Sequence, residues 1–178
     1  MRDDLKEVLF SEEVIRQRVK ELAARITQDY SGKSPLLVGV LKGCFMFLAD
    51  LSRGIELDCE IRFLTALSYG SSTVSSGNVT IKKDFDFEIE GRDVILVEDI
   101  LDSGVTLTFL SEYISGFSPA SLRICTLLDK PSRRKVPLTA DYTGFECPDE
   151  FVVGYGLDFA ERYRHLPFVA TLKPEVYS

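Results

Sequence analysis

The chain has 178 residues, a length that suits one domain with a sizeable core. Hydrophobic residues make up 45% and charged residues 28%, as in ordinary globular proteins, and no apolar run approaches the ~18 residues of a membrane span. A net charge of −7 lacks the basic balance that neutralising a phosphate backbone requires, so nucleic-acid binding is disfavoured, while a small polyanion met by local cations stays open.

The first residues, Met1-Arg2-Asp3-Asp4-Leu5-Lys6-Glu7, lack the apolar region of a secretory signal, and a cytoplasmic location is expected. Ser11 to Tyr30 predicts an amphipathic helix, with Val14, Ile15, Val19, Leu22, Ala23 and Ile26 at helical spacing. Ser11 is its expected N-cap, and Glu12 and Glu13 suit the first turn. Leu36 to Leu41 is an apolar run of buried-strand length that ends in Lys42-Gly43-Cys44, and Phe45 to Leu51 continues as a helix. Lys42 is a candidate cation for an anionic ligand, although alone it reads as a surface lysine. Glu60 to Ser68 predicts another strand. Tyr69 to Asn78 is rich in Ser and Gly and uncharged, which fits a mobile loop or an active-site lid. Val79 to Ile81 is expected as a short strand, and Lys82 to Arg92 as a charged connection turning at Glu90-Gly91.

Val94-Ile95-Leu96-Val97 predicts a strand buried on both faces of a parallel sheet, followed by two carboxylates, Glu98 and Asp99. An unpaired charged pair cannot stay in a core, so these acids are expected at the strand's C-terminal edge. Asp102-Ser103-Gly104-Val105-Thr106 then leads into a helix over Leu107 to Ile114. Strand, tight loop and helix N-terminus is the geometry that cradles a phosphate on backbone N–H groups. Ser103 and Thr106 add hydroxyls, and Gly104 admits close backbone approach. Ionised Glu98 and Asp99 are acceptors, suited to sugar hydroxyls directly or through a divalent cation, and Asp102 could take a proton. A 5-phosphoribosyl group fits this stretch better than a nucleoside triphosphate. Two acids after a strand are ordinary; the whole thirteen-residue pattern is much less so.

Ser121 to Leu128 predicts the next strand, ending at Asp129-Lys130-Pro131. Arg133, Arg134 and Lys135 read as a solvated basic turn, Phe151 as a core aromatic, and His165 as a surface residue. Cys44, Cys59, Cys125 and Cys147 form no Cys-x-x-Cys pair and read as buried reduced thiols.

The stretch Val94 to Thr106 resembles the phosphoribosyl-pyrophosphate motif of type I phosphoribosyltransferases, and its Glu-Asp order is similar to the 6-oxopurine branch, the hypoxanthine (hypoxanthine-guanine) phosphoribosyltransferases. Leu41-Lys42-Gly43 resembles that family's first pyrophosphate loop, whose Leu–Lys peptide is cis, and Ser68-Tyr69 the start of its mobile second loop. The run Asp141 to Asp158 is also similar, and the likeness extends over roughly Leu36 to Leu172.

The resemblance implies an α/β fold, with a mostly parallel twisted sheet flanked by helices and a small hood. Residues 1–178 would form a single phosphoribosyltransferase domain, with its core at about 30–140 and the hood from the N-terminal and C-terminal segments. It implies transfer of the phosphoribosyl group to N9 of a 6-oxopurine, hypoxanthine first, with Mg²⁺ as cofactor and Asp102 accepting the proton near N7. Lys42, Gly43, Ser68, Tyr69, Glu98, Asp99 and Arg164 would contact phosphoribosyl pyrophosphate, and residues 102–106 its 5-phosphate. Lys130, Phe151, Val152 and Asp158 would form the purine side, and Glu98, Asp99 and Asp158 the metal side. The family also suggests a homodimer or homotetramer. A phosphoribosyl-pyrophosphate-sensing regulator of nucleic acid on the same scaffold would want a basic face, which the charge of −7 does not supply. Preference for guanine or xanthine over hypoxanthine is not legible here.

Overall fold

The computed structural model describes residues 2–68, 79–81 and 87–177. A 3₁₀ turn at Arg2–Asp4 opens β1 (Leu5–Phe10) and α1 (Glu12–Asp29). Then follow β2 (Leu36–Leu41), α2 (Phe45–Gly54), β3 (Glu60–Ser68) and β4 (Val79–Ile81). The middle of the chain supplies β5 (Asp93–Leu101), α3 (Val105–Ser115) and β6 (Ser121–Asp129). It closes with β7 (Tyr142–Glu146), β8 (Val152–Val153), β9 (Val169–Leu172) and α4 (Pro174–Tyr177). Among the described residues no helix is long and apolar enough to cross a membrane.

The main sheet has the order β4-β3-β2-β5-β6-β7, with β4 antiparallel on β3 and the other five strands parallel. Alternation along β5 explains why its apolar run is continuous. Ile95 and Val97 face one core with α1 and α2, while Val94 and Leu96 face the other with α3. From the central β2 the chain moves outward one way to β3 and the other way to β5. That reversal makes a topological switch point, and α/β sheets bind ligands outside the strand C-termini there.

The second sheet, β1-β9-β8, is antiparallel and joins the two ends of the chain. β1 has no clean apolar alternation; Lys6, Glu7 and Val8 are all exposed, so its pairing with β9 is not visible locally. The Ser11 cap forms as expected, its Oγ accepting from Val14 N at 3.4 Å, but Val14 itself is 49% exposed and lies off the buried stripe.

Two boundaries differ from the sequence expectation. β5 runs on through Glu98 and Asp99 to Leu101, so the acids sit inside the strand and not beyond it. Helix α3 starts at Val105, which places Val105 and Thr106 in its first turn.

Candidate active site

The loop after β5 turns at Gly104, whose φ of +80° only glycine adopts freely, and Gly104 is the N-cap of α3 with no side-chain cap. The first turn of α3 therefore presents backbone N–H groups to the cleft, together with the dipole's positive end. Ser103 is buried and its Oγ accepts from Val105 N at 3.4 Å; Asp102 is exposed at the mouth. Glu98, Asp99, Asp102, Gly104 and Thr106 line one cavity of about 190 Å³, with Leu41 on its far wall.

Glu98 is buried and Asp99 half-buried. Burial and the adjacent Asp99 carboxylate push the Glu98 carboxyl well above its ordinary range, and burial raises Asp99 as well. With both carboxyls raised, a proton held on Glu98 would relieve the repulsion between the two neighbours. A divalent cation could take that proton's place, and carboxylate oxygens are the donors Mg²⁺ prefers. Asp158 stands apart: among the described residues no three Asp, Glu, His or Cys side chains converge as a metal cage.

Three elements meet at Gly43. The Leu41–Lys42 peptide is cis. A Cβ on Gly43 would lie 1.6 Å from Asp99 Oδ2, and one on Gly156 would lie 2.0 Å from Gly43 O. The loop after β2 is thus wedged between the carboxylate of β5 and the C-terminal segment, and neither contact leaves room for a side chain. Lys42 points outward, its Nζ 2.9 Å from Glu161 Oε2. Arg164 pairs with Asp158 at 2.9 Å and reaches Glu161 at 3.3 Å.

On the other side, Lys130 is 6% exposed, its backbone N donates to Leu101 O at 2.9 Å and its Nζ to Glu150 O at 2.7 Å. Burial lowers its ammonium pKa. The lysine is thereby anchored between the end of β5 and the residue that precedes Phe151 and Val152. Val152 is buried and pairs with Thr171. Phe151 is half-buried, stacked on Tyr177 at 5.0 Å and edge-on to Phe159 at 5.5 Å, so one ring face is already covered. Ser68 ends β3 opposite Val79. Tyr69 and the expected lid lie outside the described residues.

Two residues that the sequence reading passed over bear on the site. Arg134 is no solvated turn residue; its side chain is 15% exposed, ion-pairs with Asp129, and donates to Asp102 O at 2.9 Å and Leu101 O at 3.3 Å. Five donors in a rigid fork let one guanidinium hold the backbone of the loop after β5. Ile100, half-buried in the cavity wall, adds an apolar surface beside the acids. Neither had a signal in sequence, since an Arg-Arg-Lys run looks solvated and an isoleucine looks like core.

A family profile described as "Phosphoribosyl transferase domain" matches residues 8–160. A hypoxanthine-guanine phosphoribosyltransferase of Bacillus subtilis is 54% identical over 99% of this chain and 98% of its own. The chain belongs to the phosphoribosyltransferase family. Within it, the similarity lies with the hypoxanthine-guanine branch. A Staphylococcus aureus hypoxanthine phosphoribosyltransferase crystal structure superposes with a TM-score of 0.95 at 51% identity, covering 100% of this chain and 97% of that one. In Listeria innocua a bifunctional protein TilS/HprT is 50% identical over the whole of this chain, which spans 28% of that longer protein. The likeness thus reaches beyond Leu36 to Leu172, into the N-terminal strand and first helix. The mostly parallel sheet flanked by helices is the type I phosphoribosyltransferase fold.

Proposed function

We propose that this phosphoribosyltransferase transfers the 5-phosphoribosyl group of phosphoribosyl pyrophosphate to N9 of hypoxanthine, and of guanine, in purine salvage, giving the nucleoside monophosphate and pyrophosphate. The observation that carries the reading is the single cleft at the β2/β5 switch point. There the Glu98–Asp99 pair and the Asp102–Thr106 loop line the same cavity. The loop and the first turn of α3 bind the 5-phosphate through Ser103, Gly104, Val105 and Thr106, while Glu98 and Asp99 hold the ribose hydroxyls. Lys42, Gly43 and Arg164 meet the pyrophosphate, with Ser68 and Tyr69 at its outer edge. Lys130 donates to the purine 6-oxo group, Phe151 stacks on the base with its free face, and the backbone at Val152 reads the base edge. The small sheet from the two chain ends forms the hood over the base.

The C1–O bond to pyrophosphate breaks, the C1–N9 bond forms, and Asp102 accepts the proton released from the purine. The Glu98–Asp99 pair and, apart from it, Asp158 would each offer carboxylate oxygens to Mg²⁺, whose charge would neutralise the pyrophosphate leaving group. The family likeness supports a homodimer or homotetramer. The test is incubation with phosphoribosyl pyrophosphate, hypoxanthine and Mg²⁺, with chromatographic detection of IMP. IMP should form and pyrophosphate should accumulate one for one, with loss of both when Mg²⁺ is chelated. Asp102→Asn should lower kcat by about 10²–10⁴-fold, the usual contribution of a general base. Absence of IMP from a folded wild-type protein contradicts the reading, and an Asp102→Asn rate within a few-fold of wild type removes the proton-acceptor role.

A further inference from the structure

We propose that Glu161 is a built-in stand-in for the pyrophosphate end of the substrate. It occupies Lys42 and Arg164 when the site is empty and must be displaced each time pyrophosphate or phosphoribosyl pyrophosphate binds. The inference rests on the reading that Lys42 and Arg164 are the pyrophosphate cations.

Three observations carry it. First, one carboxylate bridges two cations from distant parts of the chain: Glu161 Oε2 lies 2.9 Å from Lys42 Nζ, and Oε1 lies 3.3 Å from Arg164 Nη2. Two oxygens of one anion spanning a lysine and an arginine is what a diphosphate oxyanion would do there. Second, the charges cancel. Lys42 and Arg164 are matched by Glu161 and by Asp158, which pairs with Arg164 at 2.9 Å and accepts from Glu161 N at 2.8 Å. A diphosphate meets a neutral cluster unless one acid leaves, and Glu161 is the acid free to leave. Its side chain is 65% exposed, whereas that of Asp158 is 28% exposed. Third, the backbone holds Glu161 out on a stiff tip. Ala160, Glu161 and Tyr163 all have left-handed φ values of 51°, 62° and 76°. Tyr163 anchors the tip from below, being 1% exposed with its hydroxyl donating to Asp4 at 2.7 Å. The loop can stay in place while only the Glu161 side chain swings away.

An internal anion of this kind weakens binding of pyrophosphate and of phosphoribosyl pyrophosphate alike and hastens product departure. It leaves the purine side untouched. Exposed ion pairs couple weakly, so the expected effect of removing it is about 3–10-fold. The experiment is calorimetric titration of the full chain with pyrophosphate in Mg²⁺, comparing wild type with Glu161→Gln, Glu161→Asp, Lys42→Met and the Glu161→Gln/Lys42→Met double variant. Glu161→Gln should tighten pyrophosphate by about 3–10-fold and lower KM for phosphoribosyl pyrophosphate with KM for hypoxanthine unchanged. Glu161→Asp keeps the charge but falls short of Lys42, and it should tighten partway. The Glu161→Gln gain should shrink when Lys42 is already Met. An unchanged or weaker Kd in Glu161→Gln overturns the inference. So does a Glu161→Asp variant that matches wild type while Gln tightens, since net charge alone would then be acting. A Lys42→Met variant that binds pyrophosphate as wild type does overturns the assignment of Lys42 itself, and the inference with it.

Discussion

At the residue scale, the decisive feature is a buried carboxyl held above its ordinary range. Glu98 is raised by burial and by Asp99, so the folded state binds a proton more tightly than the unfolded chain does. For such a group, the stability it contributes is fully present below the unfolded value of about 4.3 and is lost as pH rises through the raised folded value. Glu98→Gln removes the proton-linked loss. The variant should match wild type in Tm near pH 4 and exceed it at pH 8, by about 2–4 °C for each kcal/mol of repulsion relieved. Scanning calorimetry across that pH range measures it, and a Tm at pH 8 at or below wild type would show that the pair is not strained. Rules of charge burial place two acids beyond the end of a buried strand. They miss that burial and a neighbouring carboxylate raise Glu98, so that the strand can hold it with its proton on, and a sequence does not display protonation. What it does display is the order Glu-Asp and the hydroxyls that follow, because those are residue identities.

At the element scale, β5, its loop and α3 were legible as strand, turn and helix, since a run of β-branched residues, a glycine and a helix former are all local signals. Their mutual support was not. The loop is held from outside by Arg134, which lies 32 residues on from Asp102 and bonds its backbone carbonyl at 2.9 Å. Arg134→Lys keeps the charge but loses the fork, leaving Asp102 O without its guanidinium donor and Leu101 O with only the Lys130 N–H. Hydrogen bonds to charged groups are worth about 1.5–3 kcal/mol, so Arg134→Lys should lower Tm by several degrees. It should also reduce kcat by about tenfold through a misplaced Asp102, as misplacement of catalytic groups can cost up to ~10²-fold. Steady-state kinetics beside thermal unfolding checks both; a variant with full kcat would show that the clamp serves stability alone. In the same way the loop after β2 reads as a lysine and a glycine. That the glycine is pinned between Asp99 and Gly156 follows only from assembling segments 56 and 113 residues downstream of it.

At the scale of the whole molecule, the residues proposed to carry the chemistry sit at one end of the main sheet. The C-terminal ends of β2, β5 and β6 carry Lys42, the acids and Lys130. Toward the other end, Tyr142 donates to Asp29 at 2.7 Å and accepts from Arg123 at 2.6 Å, tying β6 and β7 to α1. Five strands of the main sheet were readable, as short runs rich in apolar or β-branched residues between loops, whereas the edge strand β7, Tyr142–Glu146, carries no such run. The small sheet was not, because β1 has no clean apolar alternation, with Lys6, Glu7 and Val8 exposed in succession, and finds its partner at the far end of the chain. That sheet holds Val152 in β8, next to Phe151, and Lys130 is tied to the same segment through Glu150 O. A lysine offers donors and no acceptor, so it fits the carbonyl of a 6-oxopurine and opposes the amine of adenine. Sites built on such a bond discriminate by as much as ~10⁴–10⁵-fold. The most direct measurement is kcat/KM with phosphoribosyl pyrophosphate for hypoxanthine against adenine, in wild type and in Lys130→Ala. Wild type should turn over hypoxanthine with essentially no adenine reaction. Lys130→Ala should raise KM for hypoxanthine far more than KM for phosphoribosyl pyrophosphate. Comparable turnover of adenine by wild type, or a Lys130→Ala defect confined to phosphoribosyl pyrophosphate, would contradict 6-oxopurine recognition at this site.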